Sequence, residues 1–339
     1  MNYEKFIALS QQFLNQLNSN LSTTQFNLEP HWNIDHICYR TVSNDQYLNL
    51  KNDFSSFSTE LIESEVNGRL ITTFKLFEPI KFNNNIIQLV ELPAPKASKI
   101  VPEGFEHIEV VCDISFDGLK SKLKNHKLNE SGLSKSFNPE LAVDLNGSNI
   151  KFHHISLESV VTLEANKPVY NSLLDSEILN KFKSYNPQVV GTFPLGITTE
   201  SSDVDIIMET NNLHLTSKQL VDHCSEFNNF TYQPGVLNNN NYILFRFHIN
   251  NIPFEIFVQN LPVYEQQAFK HFQIEERLLK MGNDTIKQKI IEFRNSGLKN
   301  EPAFAKALNI NGDPYLSLLE LSYKTEQELI DILKSVNNI

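Results

Sequence analysis

The chain has 339 residues, 40% apolar and 20% charged, enough for two hydrophobic cores and more than a single core usually serves. Its formal charge of −11, with 29 Lys and Arg against 40 Asp and Glu, argues against a broad nucleic-acid-binding face, which needs clustered cations. Three widely spaced cysteines fit reduced thiols, and neither a signal-peptide pattern nor an apolar run near the roughly 20 residues of a membrane span is present, so a cytoplasmic protein without membrane contact is expected.

Residues 3–20 carry Phe6, Ile7, Phe13, Leu14 and Leu17 at helical spacing and predict an amphipathic opening helix. Short alternating or β-branched runs then predict strands at 35–40, 69–76, 86–92 and 106–111, with a turn at Val66-Asn67-Gly68. A helix at 116–125 leads to strands at 141–145 and 149–154, joined by an Asn146-Gly147 hairpin. This order reads as a βαβββ unit present twice. The pattern lapses over 163–172, and Asn166-Lys167-Pro168 reads as a linker between residues 1–163 and 174–339. Beyond it come a helix at 176–183 and strands at 188–190 and 203–208, then a helix at 217–227 and strands at 242–248 and 253–258. Helical pattern runs from 264 onward, with breaks at Gly282, Gly297 and Asp313-Pro314. The Asn runs at 83–85 and 238–241 read as polar loop fillers.

The strongest chemical motif is Gly191-Thr192-Phe193-Pro194-Leu195-Gly196 followed by Ser201-Ser202-Asp203-Val204-Asp205-Ile206. A glycine turn after a strand lets backbone N–H groups approach phosphate oxygens, and Thr192 adds a hydroxyl there. Strand alternation projects Asp203 and Asp205 on one face, and Glu255, between apolar Phe254 and Ile256, supplies a third carboxylate from a later strand. Three hard oxygen ligands suit Mg²⁺ or Mn²⁺, which align a nucleoside triphosphate for in-line phosphoryl attack by an acceptor. Lys270, His271 and Lys299 are candidates for contacting its phosphates.

Across roughly residues 174–262, a glycine, a small hydroxyl residue and a following Asp-x-Asp resemble the signature of the polymerase-beta-like nucleotidyltransferase superfamily. Gln266 or Gln267, His271, Glu275 and Gly297-Leu298-Lys299-Asn300-Glu301-Pro302-Ala303-Phe304-Ala305 look like one little-characterised bacterial branch of it. The resemblance implies Gly191, Thr192, Gly196 and Ser202 as nucleotide-binding positions and Asp203, Asp205 and Glu255 as catalytic metal ligands. Many small members carry Arg where this chain has Leu195.

In the first half, His36, Glu91, His107 and His153 fall on predicted first or last strands of the two repeats. Three imidazoles and a carboxylate converging in one cavity suit Zn²⁺, Ni²⁺, Fe²⁺ or Mn²⁺. Residues 3–163 closely resemble the YecM family, a branch of the glyoxalase and bleomycin-resistance, or vicinal-oxygen-chelate, superfamily. The resemblance lies in Gly68-Arg69-Leu70-Ile71-Thr72-Thr73-Phe74-Lys75-Leu76, Val90-Glu91-Leu92-Pro93 and Glu103-Gly104-Phe105-Glu106-His107-Ile108-Glu109. It implies His36, Glu91, His107 and His153 as the four ligands, the last standing where glyoxalases commonly have Glu. Arg40, Arg69 and Glu109 share the inward phase, which fits a small anionic ligand.

The expected fold is α+β in both halves: a paired βαβββ domain, then a nucleotidyltransferase-like mixed sheet with flanking helices. The expected function is divalent-metal-dependent nucleotidyl transfer to an acceptor the sequence does not name. The alternatives are a metal-dependent lyase, isomerase or oxygenase, or a small-molecule binder, in the first half, and a scaffold with both sites inactive.

Overall fold

The computed structural model describes every residue except 25, 67, 84, 97–101 and 338–339. It divides the chain into two units, Met1–Val161 and Thr162–Ile339. In the first, α1 (Tyr3–Thr24) precedes β1 (Asn33–Arg40), α2 (Asn44–Phe54), β2 (Ser58–Val66), β3 (Arg69–Phe82) and β4 (Asn85–Pro93). The order then recurs as β5 (Gly104–Val111), α3 (Phe116–Lys122), β6 (Lys127–Asn129), β7 (Leu141–Leu145) and β8 (Ser148–His153).

All eight strands form one sheet, ordered β2-β3-β4-β1-β5-β8-β7-β6. Each repeat pairs its first and last strand in parallel, and β1 meets β5 antiparallel at the centre. The duplicated βαβββ unit is therefore the architecture of this half. Each repeat's helix is started by a serine: Ser43 accepts from Gln46 N–H at α2 and Ser115 from Gly118 N–H at α3. α1 buries Phe6, Leu14 and Leu17, with Phe6 packed edge-on against Phe54 and Phe105. Strand alternation leaves His36, Cys38, Glu91, His107, Glu109, Lys151 and His153 on one face of the sheet.

α4 (Leu157–Ala165) and α5 (Lys167–Asp175) occupy the stretch expected to be a linker. Pro168 stands in the first turn of α5, where its missing N–H is harmless, and Asn166 caps that helix by accepting from Val169 N–H. A helix expected over 176–183 shrinks to α6 (Ile178–Lys181), because Glu177 just before it adopts the left-handed conformation.

The second unit continues with β9 (Gln188–Val190), α7 (Thr192–Leu195), β10 (Val204–Glu209), α8 (Leu213–Cys224), β11 (Asn228–Leu237), β12 (Asn240–Ile249) and β13 (Ile252–Gln259). The helices α9 (Gln267–Met281), α10 (Asp284–Asn295), α11 (Asn300–Ala307), α12 (Pro314–Leu321) and α13 (Glu326–Asn337) follow. The sheet order is β11-β12-β13-β10-β9, with β10 and β13 parallel and the other pairs antiparallel. Both halves are thus α+β, as the sequence predicts.

α2, β2, β6 and β11 lie outside the expected elements. β11 is an edge strand with most of its residues exposed, so it lacks the one-sided hydrophobic pattern that marks a half-buried strand. Asn238-Asn239, in a run expected to be loop filler, sets register instead: its two residues have positive φ and close Leu237 onto Asn240, as Asn250-Asn251 closes Ile249 onto Ile252. Two consecutive left-handed residues match the right-handed twist of a hairpin, and Asn146-Gly147 does the same between β7 and β8. In the expected turn at 66–68 and the run at 83–85, Asn67 and Asn84 lie outside the described residues. Among the described residues no helix is long and apolar enough to cross a membrane.

Candidate functional site

In the first unit, Glu109 is the hub of a buried polar cluster. Its Oε1 lies 2.7 Å from Lys151 Nζ, 3.1 Å from His107 Nε2 and 3.6 Å from His36 Nε2, and its Oε2 lies 3.8 Å from His153 Nε2. Glu91 approaches His36 Nε2 from the other side at 3.7 Å. The β1/β5 ladder shifts register between Ile34 and His36, and the intervening Asp35 reaches His36 Nδ1 at 2.9 Å and the Leu157 amide at 2.8 Å.

The charges in this cluster hold one another. Burial by itself lowers the His36 pKa, but the Glu109 charge, the hydrogen bond to Asp35 and the nearby Glu109 and Glu91 carboxylates outweigh it and raise the imidazole well above its ordinary value. Burial pushes Glu109 up, yet Lys151, His36 and His107 together hold its carboxyl well below the usual range. Burial pushes Glu91 up as well, but His36 lowers it overall, whereas His107 is lowered by burial and by the nearby Lys151 charge.

Ligand atoms within 4.8 Å of one another form three groups among the described residues: Asp35 with His36 and His153, His36 with Glu91 and Glu109, and Cys38 with Glu106 and His107. The four expected ligands therefore do not make one ring, because Glu109, two residues along the same face of β5, takes the Nε2 of His107. Register corrects a second expectation. Pairing of His36 with Leu89 and of His107 with Asn149 makes Lys151, not His153, the repeat equivalent of Glu91. Of the expected anion-facing arginines, Arg40 is ion-paired to Glu106 and Arg69 donates to the Ala94 carbonyl at 3.1 Å.

In the second unit, Asp205 and Glu255 are direct neighbours across the parallel β10/β13 pair, and Asp203 immediately precedes β10. Burial, then the charges of Asp203 and Glu255, raise the Asp205 pKa well above the ordinary carboxylate range. Glu255 is also raised, by burial and Asp203, although Arg246 Nε donates to its Oε2 at 2.9 Å. Among the described residues Asp203, Asp205 and Glu255 are not one of the groups whose ligand atoms all lie within 4.8 Å of one another.

Gly191 has φ 77° and ψ −152°, and a Cβ there would overlap Asp205 Oδ2, so the carboxylate rests on the bare glycine backbone. Thr192 Oγ1 is buried without a hydrogen-bond partner among the described residues. The helix after the glycine is one turn long, so the dipole expected there is that of four residues. Gly196, left-handed at φ 64°, ends that turn, and Ser202 Oγ accepts from Thr199 N–H at 2.9 Å.

The expected phosphate contacts fall differently. Both ring nitrogens of His271 are engaged, Nε2 with the Tyr315 carbonyl at 2.9 Å and Nδ1 near Glu301 at 3.2 Å. Lys299 is exposed and its charge reaches Glu255, while Lys270 makes no ion pair among the described residues. The cation that sequence reasoning missed is Arg294 on α10. It donates to Ser202 Oγ at 3.5 Å, its charge acts on Asp205, and its buried Nε has no partner among the described residues. Buried Glu275, raised by burial and Glu301, lies within reach of the Arg294 charge. No sequence periodicity ties α9, α10 and α11 to β10; the signal for a role there is the family resemblance of Gln266 or Gln267, His271, Glu275 and the Gly297–Ala305 stretch, which does not include Arg294.

Comparison with known proteins separates the same two parts. A family model described as YecM protein matches residues 2–164, and one described as a domain of unknown function, DUF4269, matches residues 171–321. Protein YecM of Escherichia coli (strain K12) is 32% identical over 145 residues, 38% of this chain and 77% of that protein. An uncharacterized protein of Haemophilus influenzae is 38% identical over 81 residues, 24% of this chain and 42% of its own length. A solved structure titled Structural Genomics, Protein EC4020 is 29% identical, covering 46% of this chain and 90% of that one at a TM-score of 0.39.

Proposed function

By its N-terminal part this chain belongs to the YecM family, and on that footing we propose that it joins a metal-holding YecM unit to a divalent-metal-dependent nucleotidyltransferase. The observation that carries the second assignment is the Asp203, Asp205 and Glu255 set. Two carboxylates sit side by side on parallel strands with a third beside them, and burial together with the neighbouring carboxylate charges raises the pKa of Asp205 and Glu255. A divalent cation relieves that repulsion, and oxygen-only ligands select Mg²⁺ or Mn²⁺. Such an ion, when bound, orients and neutralises the phosphates of a nucleoside triphosphate.

Each residue then has a task. Asp203 and Asp205 hold the cation, and Glu255 either shares it or accepts the proton of the attacking acceptor hydroxyl. Gly191 leaves room for the Asp205 carboxylate, the unpartnered Thr192 hydroxyl is available to a phosphate oxygen, and Arg294 supplies the positive charge that Leu195 lacks. The test is binding of Mg-ATP and the other Mg-nucleoside triphosphates to the full chain and to Asp205→Asn. Metal-dependent binding by the parent and none by the variant is expected; equal binding by both overturns the assignment.

A second reading concerns the first unit, as a metal-dependent lyase, isomerase or oxygenase, or as a binder of a small anionic ligand. It is favoured by the buried Nε2 atoms of His36 and His153, which have no hydrogen-bond partner among the described residues. Tightly held Zn²⁺, Ni²⁺, Fe²⁺ or Mn²⁺ at these imidazoles is its test, and a chain that retains none after loading refutes it.

A further inference from the structure

We infer that Glu109, and not His107, is the metal ligand contributed by β5: the ion is held among His36 Nε2, Glu91, Glu109 and His153 Nε2, while His107 positions Glu109. This rests on the second reading above, that the first unit holds a metal ion.

The hydrogen bonds of the three imidazoles sort them. A carboxylate or carbonyl oxygen accepts, so the ring nitrogen facing it carries the proton. His36 Nδ1 faces Asp35 Oδ2, and His153 Nδ1 lies closest to the Ile155 carbonyl, at 2.5 Å, with Asn138 Nδ2, which donates to that carbonyl at 2.8 Å, also 3.2 Å from the ring nitrogen. In both rings Nε2 is the nitrogen left to the cluster, where a bound ion would take the place of a proton, and the ring's orientation is set by an outer acceptor. In His107 the roles are reversed. Its Nε2 faces Glu109 at 3.1 Å and donates to it, and its lone pair lies on Nδ1, on the side of Glu106 and Cys38. His107 offers its proton, not its lone pair, to the cluster.

Distances agree. Around a four-coordinate ion with bonds of about 2.1 Å, ligand atoms lie roughly 3.4 Å apart. His36 Nε2 lies 3.7 Å from Glu91 and 3.6 Å from Glu109 Oε1, so these three close to within 4.8 Å of one another, and His153 Nε2 approaches the other Glu109 oxygen, Oε2, at 3.8 Å. Two neutral imidazoles and two carboxylates balance a divalent charge and suit Zn²⁺, Mn²⁺, Fe²⁺ or Ni²⁺.

Repeat symmetry explains why β5 supplies the second carboxylate. The repeat equivalent of Glu91 is Lys151, a cation that cannot ligate a metal in its charged form. Its ammonium lies 2.7 Å from Glu109 Oε1, and Glu140 holds it from the far side at 3.4 Å. Glu109 itself is the repeat equivalent of Cys38, so the two repeats have diverged at both positions. Lys151 also places a positive charge beside the ion, where the anionic group of a small ligand would find it.

The test is Zn²⁺ affinity of the metal-stripped full chain, measured by chelator competition in excess Mg²⁺ to occupy oxygen-only sites. Trp32 fluorescence reports whether the first unit is folded. Parallel measurements are made on His36→Gln, Glu109→Gln, His107→Gln and the double variant Glu109→Gln with Lys151→Met, which leaves no unpaired ammonium. Both Glu109 variants are expected to lose affinity as severely as His36→Gln, by more than about a hundredfold, and His107→Gln by about tenfold, as for an outer partner. If the Glu109 variants fail to fold, His107→Gln decides alone. Affinity for His107→Gln as low as for His36→Gln, or folded Glu109 variants that bind like the parent, overturns the inference and leaves the metal reading standing. A parent chain that takes up no Zn²⁺ overturns both.

Discussion

Replacing Gly191 by alanine probes the contact on which the second unit's carboxylates depend. At φ 77° and ψ −152° the residue occupies a region essentially reserved for glycine, where a side chain costs about 1–3 kcal/mol. The added Cβ would overlap Asp205 Oδ2 and stand 2.9 Å from its Cγ, so Asp205 must move or the β9 to α7 turn must open, an overpacking cost of about 1–3 kcal/mol. Both penalties fall on one methyl group, and the expected destabilisation is about 2–6 kcal/mol, confined to the second unit.

The single tryptophan makes that confinement measurable. Trp32 is buried in the first unit, its Nε1 donating to Asp113 Oδ1 at 2.7 Å, so its fluorescence follows that unit alone while far-UV circular dichroism follows both. In urea, Gly191→Ala should shift part of the dichroism transition to lower concentration and leave the Trp32 transition in place. It should also weaken Mg-nucleotide binding, because the displaced carboxylate is Asp205. A variant whose dichroism transition and Mg-nucleotide affinity both match the parent refutes the packing argument and the role given to the glycine.

Asp205→Asn should stabilise the second unit at neutral pH by on the order of 1 kcal/mol while removing its response to divalent ions. Because Asp205 and Glu255 bind protons more tightly folded than unfolded, the parent's second unit should be most stable in acid and lose stability as pH rises from about 4 through their raised pKa values. Mg²⁺ should restore that loss in the parent only, and a pH-independent, Mg²⁺-insensitive urea midpoint contradicts this. In the first unit the signs oppose. The raised His36 contributes fully below its ordinary 6.5 and is lost as pH rises through its folded value, while the lowered Glu91 and Glu109 contribute above 4.5 and are lost in acid. Trp32-monitored stability should therefore peak between these limits, and a monotonic profile contradicts the coupled cluster. Asn166→Ala removes the α5 cap and should destabilise by about 1 kcal/mol in the dichroism melt; no change means the long 3.5 Å bond to Val169 N–H contributes nothing.

Local pattern made much of this molecule legible from residues alone. The duplicated βαβββ order, the Asn146-Gly147 hairpin and the alternation that puts Asp203 and Asp205 in phase all rest on interactions a few residues long, whose periods of 2 and 3.6 are written directly in the chain. His36 and His107 also matched by position within each repeat, and the register of β1 against β5 agrees. Edge strand β11 and the α4 to α5 helices were hidden for local reasons too, one lacking a buried face and the other bearing a proline that starts a helix as readily as it ends one.

Tertiary pairing decided the chemistry. Asp205 meets Glu255 only because β10 pairs in parallel with a strand 50 residues later, and Arg294, Glu275 and Glu301 reach the same region from three separate helices. In the first unit, register on β8 puts Lys151 in the place that a four-ligand reading gives to His153, and it makes Glu109 the hub of three imidazoles and an ammonium. A one-residue difference in register moves every side chain to the other face of a sheet, and a two-residue difference exchanges one ligand for another on the same face. That offset is set by how distant strands pack, so the residue types were readable in the chain and the partners of each charge were settled by the fold.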